Sequence, residues 1–193
     1  MDQLSTLEFA VGELRREVAA LDDSELDTVT NCPPWTVRQL ASHALNNQLL
    51  WAGLVTGTET VDAETTMGAV AYDGDLARYA DEVAERSLAM WATPGVLTAV
   101  HATPFGELPG SVVINFATVD ALCHAWDLSA SLGRPLEFPP ESIPAVTVVV
   151  GATCTDDVRA LGLIKDVAPI APDASDTDRL MAQAGRARPA VSR

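Results

Sequence analysis

Apolar residues recur at three- and four-residue steps along most of this chain, and that period predicts an all-α protein. The first helix is expected over about residues 2–21, where Leu7, Val11, Leu14 and Val18 fall on one face. An acidic connection, LDDSELDTVTNCPP, follows it. The two prolines that close this connection do not suit a helix interior, so the next helix should begin after them.

The same period predicts three further long helices, over about residues 36–55, 74–92 and 111–132. Residues 56–72 lack the pattern and are interpreted as a loop. The segment GVLTAVHATPFGELPG carries prolines and glycines, which predicts an irregular crossover or a short hairpin before the fourth helix. Four long helices and a crossover indicate a four-helix bundle.

The C-terminal part is less regular. A fifth helix is expected from Pro139 or Pro140, although the β-branched run AVTVVVGA leaves a strand as an alternative. The closing segment predicts an extended stretch and then a short helix ending near Gly185. Together these elements predict a single domain over 1–193, with the bundle over about 1–160 and a tail over about 161–193.

Composition narrows the function classes. The 193 residues carry a formal net charge of −15, which disfavours binding to nucleic acid. No basic amphipathic face suggests a membrane surface as partner, and no apolar run reaches the roughly 20 residues that span a bilayer. The N-terminal stretch has acidic residues in place of a signal-peptide pattern, and the three cysteines form no CxxC pair. A cytoplasmic protein with reduced thiols is expected.

Two ionisable residues, Asp120 and His124, stand one helical turn apart in the apolar run VDALCHAWDL. With His43 from the second helix they would make an N/N/O donor set suited to a divalent transition metal. Other interpretations stay open, because a neutral histidine paired with a carboxylate, or a satisfied core histidine, needs no metal. Asn47, one turn beyond His43, could orient the imidazole or a bound water, but an exposed helix residue is the preferred interpretation.

The remaining reactive residues carry weaker signals. Asp127 could orient His124, ligate a metal or pair with an arginine. His101 is expected at the surface, Cys123 in the core, and Cys32 against a neighbouring tryptophan. The chain contains no phosphate-binding glycine loop, no GxSxG elbow and no HExxH motif.

Three segments resemble one known family. CPPWTVRQLASH, DALCHAWDLSASLGRPLEFP and APDASDTDRLMAQAGRARP are similar, in register over nearly the whole chain, to motifs of the mycothiol-dependent maleylpyruvate isomerase N-terminal family. The last segment resembles a subgroup known only as metal-binding proteins with a short C-terminal tail. This family belongs to the DinB-like metal-binding helical bundles, so the resemblance implies a DinB-like four-helix bundle with a long crossover and extra C-terminal elements.

The resemblance also implies a metal, usually zinc, with nickel, iron and manganese as alternatives. Its ligands would be His43, Asp120 and His124, and Asp120 departs from the glutamate of the family pattern by being one methylene shorter. The implied function is a thiol transferase or isomerase that uses mycothiol on a small electrophilic substrate, without the further domain of the family's isomerases. The alternative is a non-catalytic bundle that binds a small ligand or protein partner, with metal structural or absent. Related bundles often pair, so a homodimer is also expected.

Overall fold

A computed structural model describes residues 1–58, 60–67 and 70–188 of the chain. Its helices and strands are, in order, α1 (Gln3–Ala19), α2 (Val37–Thr56), α3 (Ala63–Met67), α4 (Leu76–Trp91), β1 (Val100–Thr103), β2 (Gly106–Pro109), α5 (Gly110–Ser131), α6 (Ile143–Thr153), α7 (Asp156–Ala160) and α8 (Asp176–Gln183). A short 3-10 turn at Asp23–Glu25 lies in the acidic connection. Over these ranges the protein is all-α apart from one two-stranded sheet.

Helices α1, α2, α4 and α5 form the predicted four-helix bundle. α1 packs against α4 and α5, and α2 packs against the same two helices, while α1 and α2 touch little because they stand diagonally across the bundle. Each long helix therefore turns an apolar face to two neighbours. The fold is the DinB-like bundle that the sequence predicted, with the long crossover between α4 and α5 and extra elements after α5.

Local chemistry sets the ends of α2, the helix that carries His43. Thr36 and Gln39 form a capping box, in which each side chain accepts from the other residue's backbone N–H. At the other end Gly57 adopts a left-handed conformation with φ of 67°, and its N–H donates to the Gly53 carbonyl. These signals fix where α2 begins and ends, and thereby which turn presents His43.

The connections differ in part from the prediction. The interpretation of residues 56–72 as a loop was wrong over Ala63–Met67, which form the short helix α3 packed on α2. Five residues are too few to show a helical period, so the pattern could not reveal it. The crossover contains the short hairpin, with β1 antiparallel to β2.

The β-branched run after α5 is helical, so the strand alternative is wrong. In α6 the buried residues Val146, Val149, Val150 and Thr153 follow a helical spacing and face α5 and α8. Tertiary packing of this face overrides the intrinsic β preference of the valines. The tail then returns along the molecule, and Arg159 of α7 donates to the Gln183 carbonyl in α8.

The buried apolar residues form two clusters. The larger one lies between α1, α2, α4 and α5 and extends to α6 and α8, and the smaller one fills the bundle end beside the crossover. Within the described ranges, none of the helices combines the length and apolarity needed to cross a bilayer.

Candidate metal centre

The three predicted ligands converge between α2 and α5. His43, Asp120 and His124 each offer one donor atom, and these atoms lie within 4.8 Å of one another. The His43 and His124 ring centroids are 5.0 Å apart, and Asn47 contacts Asp120 one turn along. His43 thus lies opposite His124, and Asn47 lies opposite Asp120. The two residues of each helix are one turn apart, so both pairs form where α2 and α5 run antiparallel.

Both imidazoles are oriented by a hydrogen bond at Nδ1. The His43 Nδ1 lies 2.8 Å from the Thr66 carbonyl oxygen, and the His124 Nδ1 lies 3.2 Å from Asp127 Oδ2. Because a carbonyl or carboxylate oxygen only accepts, each Nδ1 must carry the hydrogen. The Nε2 atoms are therefore the ones left to bind a metal, the arrangement seen around most metal-ligating histidines.

Asp120 is held by two side-chain amides from α2. Asn47 donates to its Oδ1 at 2.8 Å, and Gln48 donates to its Oδ2 at 3.3 Å. Asp120 Oδ1 also lies 3.4 Å from the Nε2 of His124. Two ligands at 2.0–2.1 Å from a tetrahedral zinc stand roughly 3.3 Å apart, so this pair already has the spacing that a shared metal requires.

The buried charges shift the pKa of every member of the centre. Burial, followed by the charge of His124, lowers the pKa of His43. Burial, the largest single cause, would raise the pKa of Asp120, but His124, His43 and the Asn47 hydrogen bond together outweigh it and the net pKa is lowered. Burial would likewise lower the pKa of His124, yet Asp120, Asp127 and Cys32 together outweigh it and the net pKa is well above the usual value. His43 is thus favoured as a neutral ligand, and a metal at His124 would replace a proton.

Asp127 links the centre by hydrogen bonds to the segment between α1 and α2 and to the C-terminal tail. Its fully buried carboxylate accepts from Asn31 at 2.8 Å, from the Cys32 thiol at 3.3 Å and from the Arg186 guanidinium at 3.1 Å. Burial would raise its pKa, but Arg186 and then His124 lower it to about 2. Of the three roles considered for Asp127, two apply together: it orients His124 and it pairs with an arginine.

A second donor group overlaps the first. Cys32, His124 and Asp127 also offer atoms within 4.8 Å of one another. The Arg186 guanidinium bonds to Asp127, so a cation there would be repelled at close range. Among the described residues no arginine or lysine forms a hydrogen bond or ion pair with His43 or Asp120, although the charge of Arg186 also contributes to the lowered pKa of His43. The electrostatics therefore favour His43, Asp120 and His124 as the metal ligands, and Cys32 and Asp127 as their surroundings.

The residues present fit a divalent metal. Two imidazoles that can bind a metal in their neutral form, together with one carboxylate, are a donor set typical of catalytic zinc sites. Three protein ligands leave the fourth coordination position of a zinc ion for another molecule. The His43 and His124 side chains are nearly buried, while Asp120 keeps 18% of its side chain exposed. The centre is thus open to solvent on the carboxylate side.

Sequence reasoning missed the residues that support the ligands. Asn47 was expected to be exposed, but it is buried and donates to Asp120. Gln48, Asn31, Thr66 and Arg186 carried no local signal, because their roles depend on contacts between distant segments. Cys123 is buried as expected, while His101 is partly buried and hydrogen-bonds to the Val96 carbonyl.

Known proteins resemble the chain at both the sequence and the structure level. The family described as mycothiol maleylpyruvate isomerase N-terminal domain matches residues 7–129. Two uncharacterised proteins of Mycobacterium tuberculosis are each 29% identical over 190 residues, which covers 96% of this chain and 98% of theirs.

Solved structures share the fold. The crystal structure of the mycothiol-dependent maleylpyruvate isomerase superposes with a TM-score of 0.60 at 19% identity, over 77% of this chain and 68% of that one. A histidine-to-alanine mutant of that enzyme gives the same TM-score at 17% identity. The family match covers more than half of the chain and includes the segments that carry His43, Asp120 and His124. The chain therefore belongs to the mycothiol maleylpyruvate isomerase N-terminal domain family.

Proposed function

We propose that this protein binds a divalent metal, zinc in the first place, through His43, Asp120 and His124, and uses it in thiol chemistry on a small electrophile. The observation that carries the proposal is the convergence of these three side chains, with both imidazole Nε2 atoms left for a metal. The thiol is mycothiol, because the family and the enzyme of the same fold are named for their dependence on it.

The chain's own residues supply the frame for this chemistry. Thr66 and Asp127 fix the two imidazole rings, and Asn47 fixes the carboxylate of Asp120. When bound, the metal supplies a Lewis acid that lowers the pKa of a thiol in contact with it to below neutrality. The half-buried Trp35 lies against the His43 ring, with centroids 4.3 Å apart, and shields this side of the centre from water.

Two reactions fit such a centre. In a transfer, the thiol sulfur forms a bond to the electrophilic carbon, and the substrate either takes up a proton or loses a leaving group. In an isomerisation, the sulfur adds to an activated double bond, rotation follows about the resulting single bond, and elimination returns the thiol unchanged. The second reaction consumes no thiol, so product analysis separates the two.

Metal content is the first test. Protein purified without added metal should contain close to one equivalent of zinc, nickel, iron or manganese per chain by elemental analysis. His43→Ala should lose most of it, while His101→Ala, whose imidazole hydrogen-bonds to the Val96 carbonyl in the crossover, should keep it. Less than about a tenth of an equivalent in the unaltered protein, with no change in His43→Ala, would remove the basis of the proposal.

Thiol chemistry is the second test. Metal-loaded protein should bind mycothiol and accelerate either its conjugation to activated alkenes or their isomerisation. His124→Ala should do neither. If the loaded protein is no faster than this variant, the metal centre does not serve thiol transfer.

One observation favours a second candidate function. Asp120 and Asp127 lie on opposite sides of the His124 ring, 3.4 and 3.2 Å from its two nitrogens. A protonated His124 satisfies both carboxylates without any metal, as in a non-catalytic bundle that binds a ligand or partner. Under this candidate the protein would be purified metal-free, and added zinc would leave its thermal unfolding midpoint unchanged.

A further inference from the structure

We infer that Asn47 is a positioning residue for the metal centre: its side-chain amide holds the short Asp120 carboxylate at ligand distance. This inference rests on the proposed metal site and adds a residue to it. The carboxylate that must reach the metal stands on the short side chain of Asp120, with a single methylene between the backbone and the carboxyl group.

The contacts show how the carboxylate is held. Asn47 donates to Asp120 Oδ1, the same oxygen that lies 3.4 Å from His124 Nε2. Gln48 donates to Oδ2 and also to the Ala117 carbonyl, one turn before Asp120 on α5. The two amides therefore fix both oxygens, and the oxygen nearest His124 is set by Asn47.

The type of donor matters as much as its place. A lysine or arginine would hold Asp120 too, but its charge would compete with a metal for the carboxylate. An amide is neutral, so it orients the carboxylate and leaves its negative charge available. Asn47 and Gln48 are both buried, so their hydrogen bonds are shielded from exchange with water.

The helix geometry explains why Asn47 can do this. His43 and Asn47 stand one turn apart on α2, opposite His124 and Asp120, which stand one turn apart on α5. The facing sides of α2 and α5 thus carry one histidine–histidine pair and one amide–carboxylate pair. Any shift of α2 along α5 would change the distances in both pairs together.

The neighbouring Asn46 offers a matched control. It is buried on the same helix and accepts a hydrogen bond from the Tyr79 hydroxyl at 2.6 Å, whereas the hydrogen bonds to Asp120 come from Asn47 and Gln48. Asn46→Ala and Asn47→Ala each delete one buried amide with one side-chain partner. A general loss of stability should affect both variants, whereas a positioning role should affect only one.

The experiment measures zinc affinity by competition with a chromophoric chelator. Asn47→Ala should weaken zinc binding about 10- to 100-fold, the range typical of residues that orient metal ligands. Asn46→Ala should stay within about threefold of the unaltered protein. The double variant Asn47→Ala with Asp120→Glu should bind zinc at least about tenfold more tightly than Asn47→Ala. The longer glutamate side chain can use the space that the Asn47 amide leaves, and its carboxylate can reach the metal without that hydrogen bond.

The outcomes separate this inference from the proposed function. If His43→Ala loses zinc but Asn47→Ala binds as tightly as Asn46→Ala, the metal site stands and the positioning role is overturned. If Asn46→Ala and Asn47→Ala weaken zinc binding equally, or if the double variant binds zinc no more tightly than Asn47→Ala, the positioning role is also overturned. If the unaltered protein binds no zinc, both proposals fall. Far-ultraviolet circular dichroism checks folding. Should Asn47→Ala fold poorly, Asn47→Leu removes the same amide donor while keeping a side chain of similar shape, and the same loss of zinc affinity is expected.

Discussion

At the scale of single residues, burial decides the chemistry of the ionisable groups. Asp127 is fully buried yet ionised, because Arg186, His124 and Asn31 all bond to it. Cys123 lies one turn before Asp127 on the same helix, and there burial outweighs the attraction of Arg186 and raises the pKa of the thiol to about 12. Two residues on the same side of one helix thus differ in ionisation according to the hydrogen bonds and ion pairs that they make.

Cys123 should therefore be inert in the folded protein. A buried thiol with a pKa of about 12 holds almost no thiolate at neutral pH, and the thiolate is the reactive form. Mass spectrometry after brief iodoacetamide treatment should find Cys123 unmodified in native protein and modified in denaturant. Rapid native labelling at Cys123 would show that the α5 face opens more easily than its packing indicates.

Glu17 gives a pH dependence of defined sign. Burial, opposed by Arg16 and reinforced by Glu13, raises the pKa of this half-buried carboxyl. Folding then favours the neutral form of Glu17. The contribution of this carboxyl to the stability of the folded protein is therefore present below its unfolded pKa of about 4.3, and it is lost as pH rises through its folded pKa. Glu17→Gln should be more stable than the unaltered protein at neutral pH and equal to it in acid, as measured by urea unfolding.

The exposed Glu8 on the same helix is the control for Glu17. Glu8→Gln should change the unfolding free energy little and by the same amount at both pH values. A Glu17→Gln variant that is less stable at neutral pH would mean that the attraction of Arg16 outweighs burial.

At the scale of elements, the ends of α2 and the register between α2 and α5 place the centre. The capping box at Thr36 and the left-handed Gly57 define α2, and the helix between them carries His43 and Asn47 on one face. Sequence reasoning placed these ends closely, because the two prolines before the helix and the apolar period within it are local signals. The pairing of residue 47 with residue 120 depends on how two helices dock, which no local signal encodes.

Two glycine substitutions should act with opposite sign. Gly57 has φ of 67° with open space where an alanine methyl group would lie, so Gly57→Ala should cost about 1 kcal/mol through backbone strain alone. Gly151 lies within α6 at ordinary helical φ, also with open space, so Gly151→Ala should stabilise by roughly 0.5–1 kcal/mol. Chemical denaturation of both variants measures the difference, and a shift of equal sign would contradict the assigned backbone conformations.

At the scale of the whole molecule, the tail completes the surroundings of the centre. Arg186 lies after α8, and its guanidinium reaches back to Asp127 on α5, which in turn orients His124. The tail is held by Arg159 and by the packing of α8 on α6. A segment far from His124 in the sequence therefore contributes to the same network.

Removing the Arg186 guanidinium should lower the free energy of unfolding. Arg186→Leu leaves the buried Asp127 carboxylate without its cation, and breaking a buried pair in this way costs about 3 kcal/mol or more. Urea unfolding of the metal-free variant should show this loss. Arg15→Leu, which breaks an exposed pair with Asp81, should cost less than about 1 kcal/mol. Equal costs for the two variants would mean that the tail does not stay docked in solution.

The sequence by itself predicted the helical bundle and the three residues of the candidate centre, because the helical period and a one-turn Asp–His spacing are written in neighbouring residues. It placed the ends of the four long helices within a few residues. Only the tertiary structure decided that Asn47 is buried against Asp120, that the expected fifth helix prevails over the strand alternative at α6, and that Arg186 reaches Asp127. These features arise when separate segments pack, and the free energy of that packing outweighs local preferences such as the β tendency of valine.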